Sequence, residues 1–173
     1  MPDPCDTNPF QMVYDTLWTM LEEDKRFQIK EGNKLKFNNN RRDVIKSQMS
    51  AADYPEVMLV TEGITGNLCN TSSTSKITRN YSWVISAGDF RYDQIFPVEW
   101  AIFTGMLAWR YRLTTLRWED SPAPFVTQLN LVNSNLEQVD NQRRRGIEGW
   151  VAVWTIFVEM HFPTSVLTGS HLE

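Results

Sequence analysis

Hydrophobic and polar residues alternate most regularly after Lys76, where a strand pattern leads into the most apolar segment of the chain. The apolar side of this strand carries Ile77, Tyr81, Trp83 and Ile85, and the polar side carries Thr78, Asn80, Ser82 and Ser86. Arg79 is the one charged residue that breaks the apolar side. The alternation predicts a strand that buries one face and exposes the other to water.

A long helix is predicted to follow, with Pro97 in its first turn, where no N–H donor is needed. One face of this helix carries Ile95, Val98, Ile102, Met106, Trp109, Leu113 and Leu116, and the neighbouring face carries Phe96, Trp100, Phe103 and Leu107. Because both faces are apolar, we expect a sheet against one and another helix or subunit against the other. The run is interrupted by Glu99, Thr104, Arg110 and Arg112. A membrane helix is therefore rejected, since no purely apolar stretch of the ~20 residues that span a bilayer is present.

Residues 9–23 form a second helical pattern. Asn8 and Pro9 are an N-cap and first-turn pair. The apolar residues that follow at helical spacing are Phe10, Val13, Tyr14, Leu17, Trp18 and Leu21. Three acidic residues at positions 22–24 crowd the C-terminal end, where the helix dipole disfavours anions, so we expect fraying unless Lys25 or Arg26 compensates. We interpret this acidic cluster as a solvated helix end rather than a cation site, because consecutive carboxylates there do not converge on one point.

Two strands and a long connection are predicted before the central helix. Residues 57–60, Val-Met-Leu-Val, are continuously apolar, which indicates a strand buried on both faces and central in the sheet. Residues 63–75 are rich in Gly, Thr, Asn and Ser and predict a flexible connection that joins this strand to the next as a hairpin. The polar residues 25–54 predict a partly ordered excursion, with a short helical turn at 43–52.

Two further strands are predicted after the central helix. Residues 125–133 form an extended segment in which Phe125, Leu129 and Leu131 alternate with polar residues. Residues 150–162 form the last strong strand, with apolar even positions and with Glu159 and His161 on the other side. Residues 134–149 predict a projecting loop or hairpin arm. The order of elements predicts an α+β fold: a mostly antiparallel sheet, an N-terminal helix and a long central helix packed on one face, and extended hairpin or loop arms.

Length and composition favour one domain over residues 1–173, with a core at about 9–162 and a flexible tail at 163–173. Cys5 and Cys69 form no CxxC pair, which argues against a zinc site or a disulfide framework and favours a reducing compartment. The acidic N-terminus argues against a secretory signal. A formal charge of −4 argues against a protein that grips a phosphate backbone. Seven tryptophans and nine phenylalanines indicate either an aromatic-rich core or buried subunit interfaces.

The sequence contains no recognisable catalytic or cofactor-binding constellation. His161 and His171 have no partner at a metal-ligand spacing, and no GxGxxG, GxxxxGK[ST], GxSxG or HExxH motif is present. We therefore expect no enzymatic activity, no metal site and no cofactor.

Two groups of residues are candidates for contacts with partners. The arginines at 143–145, with Arg41 and Arg42 as a second point, could meet a phosphate or an acidic protein surface, or they could be part of solvated loop tips. The full set of candidate surface residues is Arg143, Arg144, Arg145, Asp140, Glu137, Arg41, Arg42, Asn67 and Asn70. The aromatic residues that could form either core or subunit interface are Trp83, Trp100, Phe103, Trp109 and Trp154.

Several local patterns resemble the tail terminator, or tail completion, proteins of long-tailed bacteriophages. The segments that carry the resemblance are helix 9–23, the Asp-Tyr-Pro-Glu-Val segment 53–57 that leads into a buried strand, the amphipathic strand 81–86, the Gly88-Asp89 turn and the long helix after Pro97. They span most of the chain, about residues 10–162. The long polar excursion before residue 53 and the abundance of tryptophan depart from the simplest members of the family.

The resemblance implies a homo-oligomeric ring, commonly a hexamer, that sits on the last ring of tail tube subunits and stops tube polymerisation. The other face of such a ring meets the head connector, and DNA passes through the lumen without being gripped. Residues 63–75 and 134–149 would contact the neighbouring rings. The implied location is the tail or neck of a virion assembled in the host cytoplasm, with no membrane partner. The alternatives are another neck component, such as a head-tail joining or stopper protein, and a monomeric binding module whose aromatic residues line a ligand pocket.

Overall fold

The computed structural model describes residues 8–27, 36–37, 56–67, 74–88, 95–117, 123–133, 137–140 and 148–163. Within these residues the chain forms two α-helices, one 3₁₀ turn and six strands. In chain order they are α1 (Pro9–Glu23), the 3₁₀ turn (Lys25–Phe27), β1 (Lys36–Phe37), β2 (Glu56–Asn67), β3 (Thr74–Gly88), α2 (Ile95–Thr114), β4 (Val126–Asn133), β5 (Glu137–Asp140) and β6 (Glu148–Pro163). This is the predicted α+β fold.

The six strands form one sheet in the order β1-β2-β3-β6-β4, and β5 pairs with β6 beside β4. All pairs are antiparallel except β1 with β2. The longest pairing joins β3 to β6 from Thr74 opposite Pro163 to Gly88 opposite Gly149. Strand 57–60 lies inside the sheet, as predicted, because β2 is flanked by β1 and β3. The two-residue β1 covers only Glu56 and Val57, and the rest of the described β2 pairs with β3 alone.

The predicted hairpin between β2 and β3 is confirmed, but its connection is shorter than predicted. Residues 63–75 were expected to be a flexible connection, whereas β2 continues to Asn67 and β3 begins at Thr74. Polar residues and glycines can pair in a sheet because the hydrogen bonds between strands use backbone groups. The pairing of β2 with β3 has one register shift, between Thr61 and Ile64.

Both helices pack on the same face of the sheet and form one core with it. Each helix contributes one buried stripe, and β3 and β6 contribute the alternating residues that the sequence predicted. The fully covered members include Val13, Leu17, Met20, Ile95, Val98, Ile102, Leu113, Tyr81, Trp83, Ile85, Ile156, Val158 and Met160. The apolar alternation therefore identified the core face of both long strands.

The opposite face of the sheet is less exposed than predicted. Ser82, expected to face water, is fully buried, and its Oγ lies 2.8 Å from Thr155 Oγ1 on β6. β3 has long strands on both sides, so neighbouring side chains cover its central residues even where no helix lies over them.

Helix α1 begins and ends at definite hydrogen bonds. Asn8 Oδ1 accepts from the Phe10 N–H at 2.9 Å, as expected of an N-cap. The predicted solvated, fraying C-terminal end was wrong at Asp24, which is 8% exposed. Its carboxylate accepts from Trp109 Nε1 at 2.8 Å, from the Arg26 N–H at 2.9 Å and from Arg26 Nη1 at 2.6 Å. Arg26 thus provides the compensation that the sequence required.

These contacts also set the acidity of Asp24. Burial alone would raise the pKa of the carboxyl, but the hydrogen bonds from the Arg26 backbone and the Trp109 indole, together with the Arg26 charge, lower it. The guanidinium of Arg112 lies over the face of the Trp109 ring, with Cζ 4.0 Å from the ring centroid. The acidic helix end is therefore a junction between α1, the 3₁₀ turn and α2.

Several expectations concern residues outside the described ranges. The helical turn predicted at 43–52 and the tail after Pro163 lie there. Of the excursion predicted at 25–54, the described parts are the 3₁₀ turn and β1. The assignment of residues 1–173 to a single domain stays a prediction.

Candidate interaction surface

The outer side of α2 is the main apolar surface that the described residues expose. Trp100 is 66% exposed, Phe103 38%, Leu107 57% and Tyr111 73%. Their spacing of three and four residues places them on one side of the helix, opposite the residues that enter the core. We call these four residues the aromatic stripe. Phe96, also exposed, continues the same side toward the helix N-terminus.

The stripe follows from the local sequence of α2. Trp100 and Phe103 are in contact, with ring centroids 5.8 Å apart. Thr104, beside the stripe, turns its hydroxyl onto the Trp100 carbonyl at 2.7 Å, so the polar atom is used within the helix. The second apolar face predicted for α2 is therefore present and lies open on the outer side of the helix.

One edge of the stripe is tied to the sheet. Trp154 of β6 donates its Nε1–H to Glu99 Oε1 at 2.9 Å, and Asn133 Nδ2 donates to the same oxygen at 3.3 Å. The centroids of the Phe103 and Trp154 rings lie 6.4 Å apart. Glu99 thus links α2 to β4 and β6 beside the stripe.

The five aromatic candidates divide between core and surface. Trp83 is fully buried, and its Nε1–H finds no hydrogen-bond acceptor among the described residues. Trp109 is buried against Asp24, Trp154 is partly buried, and Trp100 and Phe103 are exposed. Because Trp83 is in the packed core and Trp100 is on the outer surface, these residues do not ring a common ligand cavity with Trp154. Tyr111 was missed by the sequence analysis, although its position four residues after Leu107 could have identified it.

The predicted loop contacts are placed only in part. Asn67 ends β2, and Glu137 and Asp140 begin and end β5. Arg41, Arg42, Asn70, Arg143, Arg144 and Arg145 lie outside the described residues. β5 pairs with the start of β6, so the arm predicted at 134–149 contains a hairpin. The structure does not bring the polar candidates together as a described site.

A charged cluster lies on the sheet face opposite the helices. Lys76 Nζ contacts Glu159 Oε2 at 2.6 Å, and His161 Nε2 and Thr127 Oγ1 contact Glu159 Oε1 at 3.1 and 3.2 Å. The hydrogen bond and charge of Lys76 lower the pKa of the Glu159 carboxyl. His161 therefore lies beside the ion pair of Lys76 and Glu159 on the strand surface, as its position in the alternation predicted.

No group of three or more His, Cys, Asp or Glu side chains in the described ranges is placed to hold a metal ion. In the same part of the chain, no helix has the length and apolar character needed to cross a bilayer.

In comparisons with known proteins, no family model matches the chain, and no curated protein matches its sequence.

Proposed function

We propose that this protein is a structural assembly protein of the tail terminator type. It forms a ring, hexameric by the resemblance, that caps the tail tube, stops its polymerisation and joins the tail to the head connector. The protein acts through surface complementarity and without enzymatic chemistry. The observation that carries the proposal is the aromatic stripe on the outer side of α2.

The size of the stripe supports a subunit contact. An aromatic side chain buries about 150–250 Å², so the three aromatic residues of the stripe, which are 38–73% exposed, present together with Leu107 on the order of 400 Å² of largely apolar surface. A standard interface buries about 800 Å² on each partner. The stripe would therefore supply about half of one side of a subunit contact, and neighbouring loops would supply the rest. In a closed ring, the contact is head-to-tail, so the stripe meets a different patch on the next copy.

The sheet offers two further contact regions at opposite ends. The last described pair of β2 and β3, Asn67 with Lys76, lies near the end where β3 pairs with Pro163. The pair of β5 and β6 at Asp140 and Glu148 lies near the opposite end, where β3 pairs with Gly149. A terminator ring has two different neighbours, the tube on one side and the connector on the other. Hairpins at opposite ends of one strand pair suit that requirement. The modest negative charge of the chain suits a lumen through which DNA slides.

Two neighbouring positions of α2 give a matched test. Leu107→Asp places a charge in the stripe, and Ala108→Asp places the same charge on an exposed position beside it. Because both positions face solvent in the subunit, both variants should keep the thermal stability of the isolated subunit. Light scattering and electron microscopy should show rings for the wild type and for Ala108→Asp, and dissociated subunits for Leu107→Asp.

Binding to purified tube and purified connector completes the test. A terminator binds both and halts tube growth, whereas a joining or stopper protein binds the connector without halting the tube. A wild-type protein that stays monomeric and associates with neither partner contradicts the proposal. Rings of Leu107→Asp would show that the stripe is not the subunit contact.

A further inference from the structure

Arg79 is an anomaly that the proposed ring of subunits does not explain. It lies on the helix-covered side of β3, between positions occupied by apolar residues, and its Nε is buried without a hydrogen-bond acceptor among the described residues. Its guanidinium carbon lies 4.8 Å from the centroid of the Phe10 ring and 5.8 Å from that of Tyr81. Aromatic faces partly compensate a cation, but they provide no acceptor oxygen for its N–H groups. Within the described part of the chain, Arg79 also forms no ion pair.

A cavity of about 540 Å³ opens beside this arginine, between α1 and β2. Its walls are Asn8, Phe10, Gln11, Tyr14, Leu59, Val60, Thr61 and Arg79. The register shift of β2 between Thr61 and Ile64 lies opposite the segment of β3 that carries Arg79, so the irregular part of the sheet borders the cavity. β-bulges often occur next to binding sites, where they redirect side chains.

The charge in the cavity is unbalanced. The described lining contains one cation and no carboxylate. Asp15, on the same helix, is engaged by Gln11, whose Nε2 donates to its Oδ1 at 2.6 Å. The phenols nearby stay neutral: burial raises the pKa of Tyr81, whose hydroxyl donates to the Phe10 carbonyl, and burial together with the Asp15 charge raises the pKa of Tyr14. No described group in the lining therefore neutralises the guanidinium.

We propose that this cavity binds a carboxylate group, which pairs with the Arg79 guanidinium and packs against the rings of Phe10 and Tyr14. A carboxylate matches the planar fork of a guanidinium and accepts two parallel hydrogen bonds. A phosphate is less suited, because a single cation with aromatic and amide neighbours leaves most of its charge uncompensated. This site is separate from the aromatic stripe and does not depend on ring formation.

Benzoate is the first probe, because its ring and its charge match both parts of the cavity, and benzamide is its uncharged control. Titration of ¹⁵N-labelled protein with benzoate should shift the Arg79 Nε–H resonance. Benzamide should bind at least tenfold more weakly in the same titration. Arg79→Gln should weaken benzoate binding at least tenfold by calorimetry. Arg110→Gln, which removes an exposed arginine on α2, should leave binding unchanged.

A second pair of probes identifies the source of the carboxylate. Tighter binding of N-acetylglutamate amide than of benzoate indicates an acidic side chain from another polypeptide, and the reverse order indicates a free organic acid. The proposal is overturned if no carboxylate perturbs Arg79 at tens of millimolar, or if benzamide binds as well as benzoate. The wild-type titration keeps the test decisive even if Arg79→Gln fails to fold.

Discussion

The contact between Asp24 and Trp109 allows a quantitative test of how the end of α1 is held. Asp24→Ala removes the acceptor of the buried Trp109 N–H and of the Arg26 backbone N–H. A buried donor left without an acceptor costs about 1–3 kcal/mol, and the second N–H is only partly buried, so we expect a loss of about 2–4 kcal/mol in the free energy of unfolding. For a chain of this length, that corresponds to a fall of about 4–16 °C in Tm.

A double-mutant cycle isolates the hydrogen bond from the other effects of the substitution. Trp109→Phe removes the donor and keeps an aromatic ring between Asp24 and Arg112. In that background Asp24→Ala no longer leaves the indole unpaired, so the two changes should be coupled by about 1–3 kcal/mol. Urea unfolding followed by circular dichroism measures all four proteins at one protein concentration, since assembly would add to apparent stability.

Arg26→Ala is the control for the charge at this junction. Its side chain is 45% exposed, so its ion pair with Asp24 should contribute less than about 1 kcal/mol. A coupling energy near zero between Asp24 and Trp109, or a loss for Arg26→Ala as large as that for Asp24→Ala, refutes the account of a buried carboxylate that organises the junction.

Two further predictions concern packing and pH. In Gly105→Ala the added Cβ would lie 3.2 Å from Phe27 Cε2 and 3.3 Å from Met20 Sδ. This crowding should outweigh the gain in helix propensity and lower the free energy of unfolding by about 1 kcal/mol, as measured by thermal unfolding. A variant more stable than the wild type contradicts this packing. Because the folded protein lowers the pKa of Asp24 and of Glu159, their stabilisation is present above the unfolded carboxyl pKa of about 4 and is lost as pH falls through the lower folded values. The fall in Tm between about pH 6 and pH 2 should therefore be smaller in Asp24→Asn and in Glu159→Gln than in the wild type. An equal fall in Tm contradicts the assignment.

The sequence predicted the elements that have strong periodicity. Both helices and the long strands β3 and β6 were recognised because their apolar residues recur at the spacing of one buried face. The two-residue β1 and the four-residue β5 were not assigned as strands, since such short segments contain no period. Their pairing depends on the strands beside which they lie, and no local pattern encodes that neighbour.

The candidate surfaces were predicted to a similar extent. The second apolar face of α2 was evident from the spacing of Trp100, Phe103 and Leu107, but its exposure could be seen only in the fold. The burial of Asp24 could not be predicted, because its partner Trp109 is 85 residues away. Arg79 was visible in the sequence as a break in an apolar alternation, whereas the cavity beside it is a property of the packing of α1 on β2.

The pairing of β3 with β6 over its whole length has a mechanical consequence. A fifteen-residue strand at ~3.4 Å per residue is about 50 Å long, and β3 is bonded on both sides for most of that distance. Such a ribbon resists stretching, so bodies attached at its two ends are kept at a separation determined by covalent geometry. Inserting or deleting two residues in both strands together would change that separation by about 7 Å while preserving which side chains face the helices.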